Sequence, residues 1–252
     1  MGGAAGNAGD LGTSGGGASA GAAGSLAGGG AGGSAGGGAN VVVSDDFEAP
    51  TLDAGKWQMG ITGQGSIAVT TEEKHGGNQA VKVVGMSGPV MFVNTSAFPL
   101  PNGVIHFRVW MRFTSADWAN HVAFVAASPG AESQEVRFGG QNNAYHANLA
   151  ADGDGLSPDP FEYPECPLCV APVANQWACL RGKLDFANSD AELYVNETLA
   201  VDAQDADDWH SGTGTLPQSP TQIGFGWAIY GGAMNTVYYD DLAIAYEPIP
   251  CE

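Results

Sequence analysis

Nine consecutive residues, Ile105-His106-Phe107-Arg108-Val109-Trp110-Met111-Arg112-Phe113, alternate strictly between apolar and polar or amphipathic side chains. A period of two fits a strand with unlike faces and no helix, so this stretch fixes the fold class more firmly than any other. Ile105, Phe107, Val109, Met111 and Phe113 are expected to point into a core, with His106, Arg108, Trp110 and Arg112 on the opposite face. Two of the chain's eight basic residues on one strand face, beside a histidine and a tryptophan, suggest that something binds there.

The same pattern, in shorter pieces, recurs from Val41 to the C-terminus. Val41–Glu48, Lys56–Gln58, Ser66–Thr71, Gln79–Val84, Pro89–Asn94, His121–Ala127, Glu135–Phe138, Ala144–Leu149, Gln176–Phe186, Ala191–Val195, Ile223–Ile229 and Asn235–Tyr246 all read as strands, separated by Gly, Pro, Asn and Asp. About a dozen short strands with no sustained helical period predict an all-β chain, a two-sheet antiparallel jelly roll. Ala151–Pro172 is expected to be a long irregular segment.

Residues 1–40 are almost entirely Gly, Ala and Ser, too poor in apolar surface to offset ordering entropy, and are expected to form a flexible tether ahead of one domain at 41–252. Such a tether resembles the spacer behind the processed end of many bacterial exported and surface lipoproteins. A secreted or surface-tethered location is expected, with the export signal absent from this chain. The formal net charge of −19 argues against nucleic acid and anionic membranes as partners, and no apolar run is long enough to span a bilayer. A monomer is expected.

Four cysteines suit an oxidising compartment. Cys166 and Cys169 share a Cys-Pro-Leu-Cys loop, which makes a zinc site a weaker alternative because the spacing occurs once. Disulfides are the favoured reading: Cys179 with Cys251 would fasten the C-terminus to the sheet and Cys166 with Cys169 would close a small loop, although three pairings remain open.

Five phrases then occur in order: Val136–Gln141 (Val-Arg-Phe-Gly-Gly-Gln), Asn175–Cys179, Phe225–Gly232 (Phe-Gly-Trp-Ala-Ile-Tyr-Gly-Gly), Asn235–Ile244, and the terminal cysteine. Together they resemble the core domain of the cellulose-induced protein family. The resemblance implies a concanavalin A-like jelly roll of the lectin and glucanase type, calcium binding, and a fold similar to glucuronan and alginate lyases. Where members of that family tend to carry an acidic residue between the Trp and Tyr of the third phrase, this chain has Ala228-Ile229.

A polysaccharide partner and lyase chemistry therefore become the leading expectation. Cleaving a uronate polymer by β-elimination needs a clamp on the sugar carboxylate, a base for the acidified C–H proton and an acid for the leaving oxygen. Arg108, Arg112 or Arg137 are expected to clamp the carboxylate, helped by Gln141, while His106, His121 or Tyr230 move the protons. Trp110 and Trp227 are expected either to stack on sugar rings or to fill space. Each residue also has a structural reading: His106 and Arg108 as hydrogen-bonded groups on a covered sheet face, Arg137 in an ion pair, Trp227 in the core. The alternatives in other classes are a non-catalytic, calcium-stabilised carbohydrate-binding module and a surface adhesion protein.

Calcium is expected where the chain ends meet. Acids at the end of the first strand and in the last strand, with the His75-Gly76-Gly77-Asn78 turn, supply the hard oxygens this ion takes, and Glu48, Asn78 and Asp240 are the expected ligands.

Overall fold

The structure is a computed structural model that describes residues 40–150, 155–158, 168–204, 209, 215–231 and 233–251. Contacts divide the chain into units at Met1–Ala35 and Gly36–Glu252, and every described residue belongs to the second. The expected tether, Asn40 excepted, and Cys166 lie outside the described residues.

Within the described residues the fold is all-β and antiparallel, with fourteen strands and a single 3-10 turn at Glu132–Gln134. In chain order the strands are β1 (Val41–Asp45), β2 (Gln58–Ile61), β3 (Gln64–Thr70), β4 (Ala80–Asn94), β5 (Val104–Phe113), β6 (Val122–Ser128) and β7 (Val136–Gln141). They continue with β8 (Ala144–Leu149), β9 (Gly155–Ser157), β10 (Ala178–Asp185), β11 (Asp190–Val195), β12 (Thr198–Ala203), β13 (Gln222–Ile229) and β14 (Asn235–Ala245). Two sheets share one long strand. The first half of β4 pairs with β3 and β14 in a sheet that runs on through β5, β10, β11 and β12, with β1 added to β14. Its second half pairs with β2 and β13 in a second sheet that runs on through β6, β7, β8 and β9. These are called the first and second sheets below.

Burial along β5 alternates without a break: Ile105, Phe107, Val109, Met111 and Phe113 are buried, and the residues between them are half-buried. The core lies between the sheets and is rich in aromatic rings packed edge to face. Phe107 of the first sheet meets Phe138 and Phe225 of the second at 5.8 and 5.6 Å, and Phe92 meets Tyr239 at 5.5 Å. The buried Tyr239 hydroxyl bonds backbone carbonyls of Phe124 and Gly226, so its polar atom is satisfied across the sandwich.

Close approach explains the Gly139-Gly140 pair. A Cβ on Gly139 would strike the Val122 carbonyl, and one on Gly140 would strike the ring of Trp118, itself fully buried against Phe113 and Tyr145. Gly140→Ala is therefore expected to cost about 1–3 kcal/mol by overpacking, read as a lower midpoint in denaturant with an unchanged slope.

Cys179 at the start of β10 is bonded to Cys251 with Cα atoms 6.0 Å apart, the pairing expected to fasten the C-terminus. Cys169 is also disulfide-bonded. No helix among the described residues is long and apolar enough to cross a membrane.

Candidate functional site

The outer face of the second sheet carries a polar cluster on β7, β8 and the ends of β6 and β13. Alternation on β7 turns Val136 and Phe138 into the core and Arg137 outward, and on β8 it turns Tyr145, Ala147 and Leu149 inward and His146 and Asn148 outward. Gly139 faces His146 across the β7–β8 ladder, so no side chain separates His146 from β6. His121, which precedes β6, brings its ring 5.4 Å from His146 and 5.0 Å from Tyr230, just past β13. A backbone bond from the Tyr230 N–H to the His121 carbonyl, 3.1 Å, fixes that neighbourhood.

Arg137 ties the cluster together. Its guanidinium lies 4.1 Å from the centre of the Tyr230 ring, its Nε donates to Glu135 Oε2 at 2.8 Å, and its Nη1 donates to Asn148 Oδ1 at 3.1 Å. The Tyr230 hydroxyl is 3.5 Å from the same Glu135 oxygen. Arg137 is only 4 % exposed, so it holds Tyr230 and Glu135 in place and is not an open clamp for a sugar carboxylate. His146 is fully buried, and its two ring nitrogens have no hydrogen-bond partner among the described residues. Burial, with a smaller contribution from His121, holds its pKa well below the usual histidine range, so the ring stays neutral at physiological pH. His121, Glu135, Gln141 and Tyr230 remain partly exposed. A neutral imidazole beside a second histidine, a phenol and a carboxylate can pass protons without bringing net charge to the site.

The expected site residues therefore divide between faces. His121, Arg137 and Tyr230 converge, and alternation puts Gln141 on the same outer face of β7. His106, Arg108, Trp110 and Arg112 point outward from β5 in the first sheet, on the far side of the core, so one groove cannot contain both sets. There Arg108 bonds the carbonyls of Asp241 and Pro250, Arg112 pairs with Glu73 at 3.3 Å, and Trp110 stacks on His75 at 3.7 Å. Trp227 is fully buried with its Nε1 donating to the Ala233 carbonyl at 3.2 Å; it fills core against Trp118 and cannot stack on a sugar. Glu135, His146 and Asn148 were not expected from sequence, although the alternation of Ala144–Leu149 carries the signal for two of them.

The expected calcium ligands gather around the turn at 75–79. Glu48 accepts N–H bonds from Asn78 and Gln79 at 2.7 and 3.0 Å and one from the Asn78 amide at 3.1 Å. Asp240 accepts from His75 and Gly76 at 2.8 and 3.0 Å. Asp240 stands opposite the outward-facing Trp110 in the β5–β14 ladder, whose register breaks after it with Asp241 at φ 47°, and beneath the turn at 75–79 its side chain is fully buried. Gly77, at φ 51°, leaves room for Glu48, which a Cβ would strike. Desolvation pushes the Asp240 pKa up to about 6, against the backbone N–H bonds that lower it. Among the described residues there is no group of three or more His, Cys, Asp or Glu placed as a metal cluster, so a cation here would draw on amide and carbonyl oxygens as well. The buried Asp240 carboxyl is a hard oxygen donor of the kind calcium takes, and the turn meets it with the N–H groups of His75 and Gly76.

Residues 46–247 match the family described as Cip1-like, core domain, of polysaccharide lyase-like type. A solved structure titled cellulose induced protein, Cip1, is 28 % identical with a TM-score of 0.70, covering 83 % of this chain and all of that one. The endo-β-1,4-glucuronan lyase of the fungus Trichoderma reesei shares the fold at a TM-score of 0.56 and 13 % identity, covering 82 % of this chain and 96 % of that one. The globular domain of T. cruzi calreticulin shares it at 0.56 and 10 %, covering 82 % and 88 %. No curated protein sequence matches the chain. With the family match spanning most of the sandwich and the Cip1 fold matched along its whole length, the chain belongs to the Cip1-like core-domain family of polysaccharide lyase-like proteins.

Proposed function

We propose that this is an exported carbohydrate-active protein that binds a uronate-containing polysaccharide on the outer face of the second sheet and cleaves it by β-elimination. The observation that supports this most is the meeting of His121, Tyr230, Glu135 and Arg137 beside the neutral, buried His146 in a chain of a polysaccharide lyase-like family. In this reading His121 takes the proton next to the sugar carboxylate and the Tyr230 hydroxyl protonates the leaving oxygen. Gln141 bonds the carboxylate, and Arg137 positions Tyr230. The test is ultraviolet absorbance of polyglucuronate, alginate and a neutral β-glucan incubated with the protein. Elimination leaves an absorbing unsaturated uronate, so a rise on an acidic polymer alone is expected. No rise on any polymer, with retention on insoluble polysaccharide, would replace the lyase by a binding module.

Calcium belongs to the same proposal as a structural ion held by Glu48, Asn78 and Asp240, joining β14 to the segment after β1. Its signature is a pH effect. A carboxyl whose folded pKa is about 6, against an ordinary 3.8, binds its proton more tightly when folded. Its stabilising share is complete below the ordinary value and is lost as pH rises through 6, a loss of roughly 3 kcal/mol by neutral pH. Calcium binds the ionised carboxylate and should reverse that loss. Melting in chelator is expected to be lower at neutral than at mildly acidic pH, calcium should raise the neutral value, and Asp240→Asn should abolish both effects. Equal melting with calcium and with chelator would remove the ion from the account.

A further inference from the structure

The outer face of the first sheet holds a pocket of about 470 Å³ remote from the polar cluster of the second. His106 on β5, Arg181 and Lys183 on β10, and Tyr194 on β11 form its floor, and Pro248 and Ile249 of the C-terminal segment form a wall. That wall is fastened: Ile249 packs against Ala243 and Ala245, and Cys251 is bonded to Cys179 at the start of β10.

The charge arrangement on this floor is unusual for so acidic a chain. Lys183 stands directly opposite His106 in the β10–β5 ladder, and Arg181 stands directly opposite Arg108. Like charges facing each other across a ladder destabilise a sheet, and the Arg181–Arg108 pair puts two of the chain's eight basic residues in that position. Lys183 is held by Asp190 and Glu192 at 2.6 and 2.8 Å. Arg181 lies over the Tyr194 ring at 4.7 Å and pairs with Glu197, whose side chain is 56 % exposed. Such a surface pair is a weak competitor for a ligand carboxylate. The Arg181 Nε is buried with no hydrogen-bond partner among the described residues, so the guanidinium is not fully satisfied by Glu197.

From this pocket we infer that the chain has a second saccharide site, which takes a single carboxylate-bearing sugar unit. The sugar carboxylate bonds the Arg181 guanidinium and displaces Glu197. Ring hydroxyls bond Lys183, Glu192 and the His106 imidazole, and the C–H face of the ring rests on Pro248 and Ile249. Burial, then the charge of Lys183, lowers the His106 pKa from its ordinary value, which suits a ring that hydrogen-bonds over one that adds another cation. The site shares a ligand class with the proposed cleavage face but none of its residues. A polymer held here and there at once would be retained after each cut.

Histidine imidazole NMR tests the two faces separately, because His106 reports on this pocket and His121 and His146 report on the other. The probe is methyl β-glucuronoside, which has no glycosidic leaving group at the carbon that elimination would open, with methyl β-glucoside and acetate as controls, all at one pH. Saturable shifts of His106 are expected with the glucuronoside, weakened about tenfold by Arg181→Gln and by Lys183→Gln. Unchanged His121 and His146 signals in each variant would certify the fold, and two variants keep the result independent of either one folding poorly. A static His106, equal shifts with acetate or the glucoside, or full affinity in both variants would overturn the inference. Movement of His106 with static His121 and His146 would instead count against the cleavage face and leave this site standing.

Discussion

Tyr230→Phe is expected to lower turnover on polyglucuronate by about 10²–10⁴-fold with little change in stability, because it removes the proposed proton donor and nothing else of substance. The ring that Arg137 covers at 4.1 Å remains, as does its packing on His121 at 5.0 Å; only the 3.5 Å approach of the hydroxyl to Glu135 goes with the oxygen. The effect should fall on kcat with KM nearly unchanged, since a phenol acting on the leaving oxygen contributes mainly in the transition state. Arg137 makes the complementary case. Buried among Glu135, Asn148 and Tyr230, it acts through its neighbours, so Arg137→Ala should also cost folding stability and Arg137→Lys should restore stability better than rate. A Tyr230→Phe protein with full activity would remove the phenol from the mechanism.

Removing the Cys179–Cys251 bond has the largest expected effect on folding. The two residues are 72 apart in sequence, and closing a loop of that length limits the unfolded chain by about 4 kcal/mol in the chain-entropy account. For a domain of this size that corresponds to a fall in Tm of roughly 10 °C. The double variant Cys179→Ser, Cys251→Ser avoids leaving a lone thiol. Its calorimetric midpoint should fall by that amount while any turnover at low temperature survives, because Cys179 joins the first sheet and the polar cluster proposed to cleave lies on the second. It should also lose affinity in the β5–β10 pocket, whose wall the bond fastens. An unchanged midpoint would mean that β14 and the packing of Ile249 hold the C-terminus without help.

The sandwich was legible because burial imposes a period of two, and β5 obeys it residue by residue. What alternation cannot tell is which outer face a strand presents: a sandwich has two, and β5 belongs to the first sheet. Hence His106, Arg108, Trp110 and Arg112 share a face as expected, yet not with His121 and Arg137. The same rule applied to Ala144–Leu149 would have found His146 and Asn148, since Tyr145, Ala147 and Leu149 fill the inward positions. Glycine and proline misled at 85–89, where two strands are expected and one strand, β4, instead crosses from sheet to sheet. No strand was expected at Thr198–Ala203, but Asn196 and Glu197 at φ 48° and 66° form the tight turn that starts β12, and an asparagine there is a hairpin signal. Trp227 shows the limit for single residues, because a tryptophan beside glycines suits a sugar platform and a packed core equally until the sheet's inner face is known.

The most direct measurement of the central claim is the rate of unsaturated-uronate formation from polyglucuronate by the wild-type chain, His121→Ala, Tyr230→Phe and Arg108→Ala side by side. Activity in the wild-type and Arg108→Ala proteins, lowered by at least about a hundredfold in the other two, is the result the proposed function predicts. Activity that survives in His121→Ala and Tyr230→Phe but disappears in Arg108→Ala would place the chemistry on the opposite sheet and contradict it.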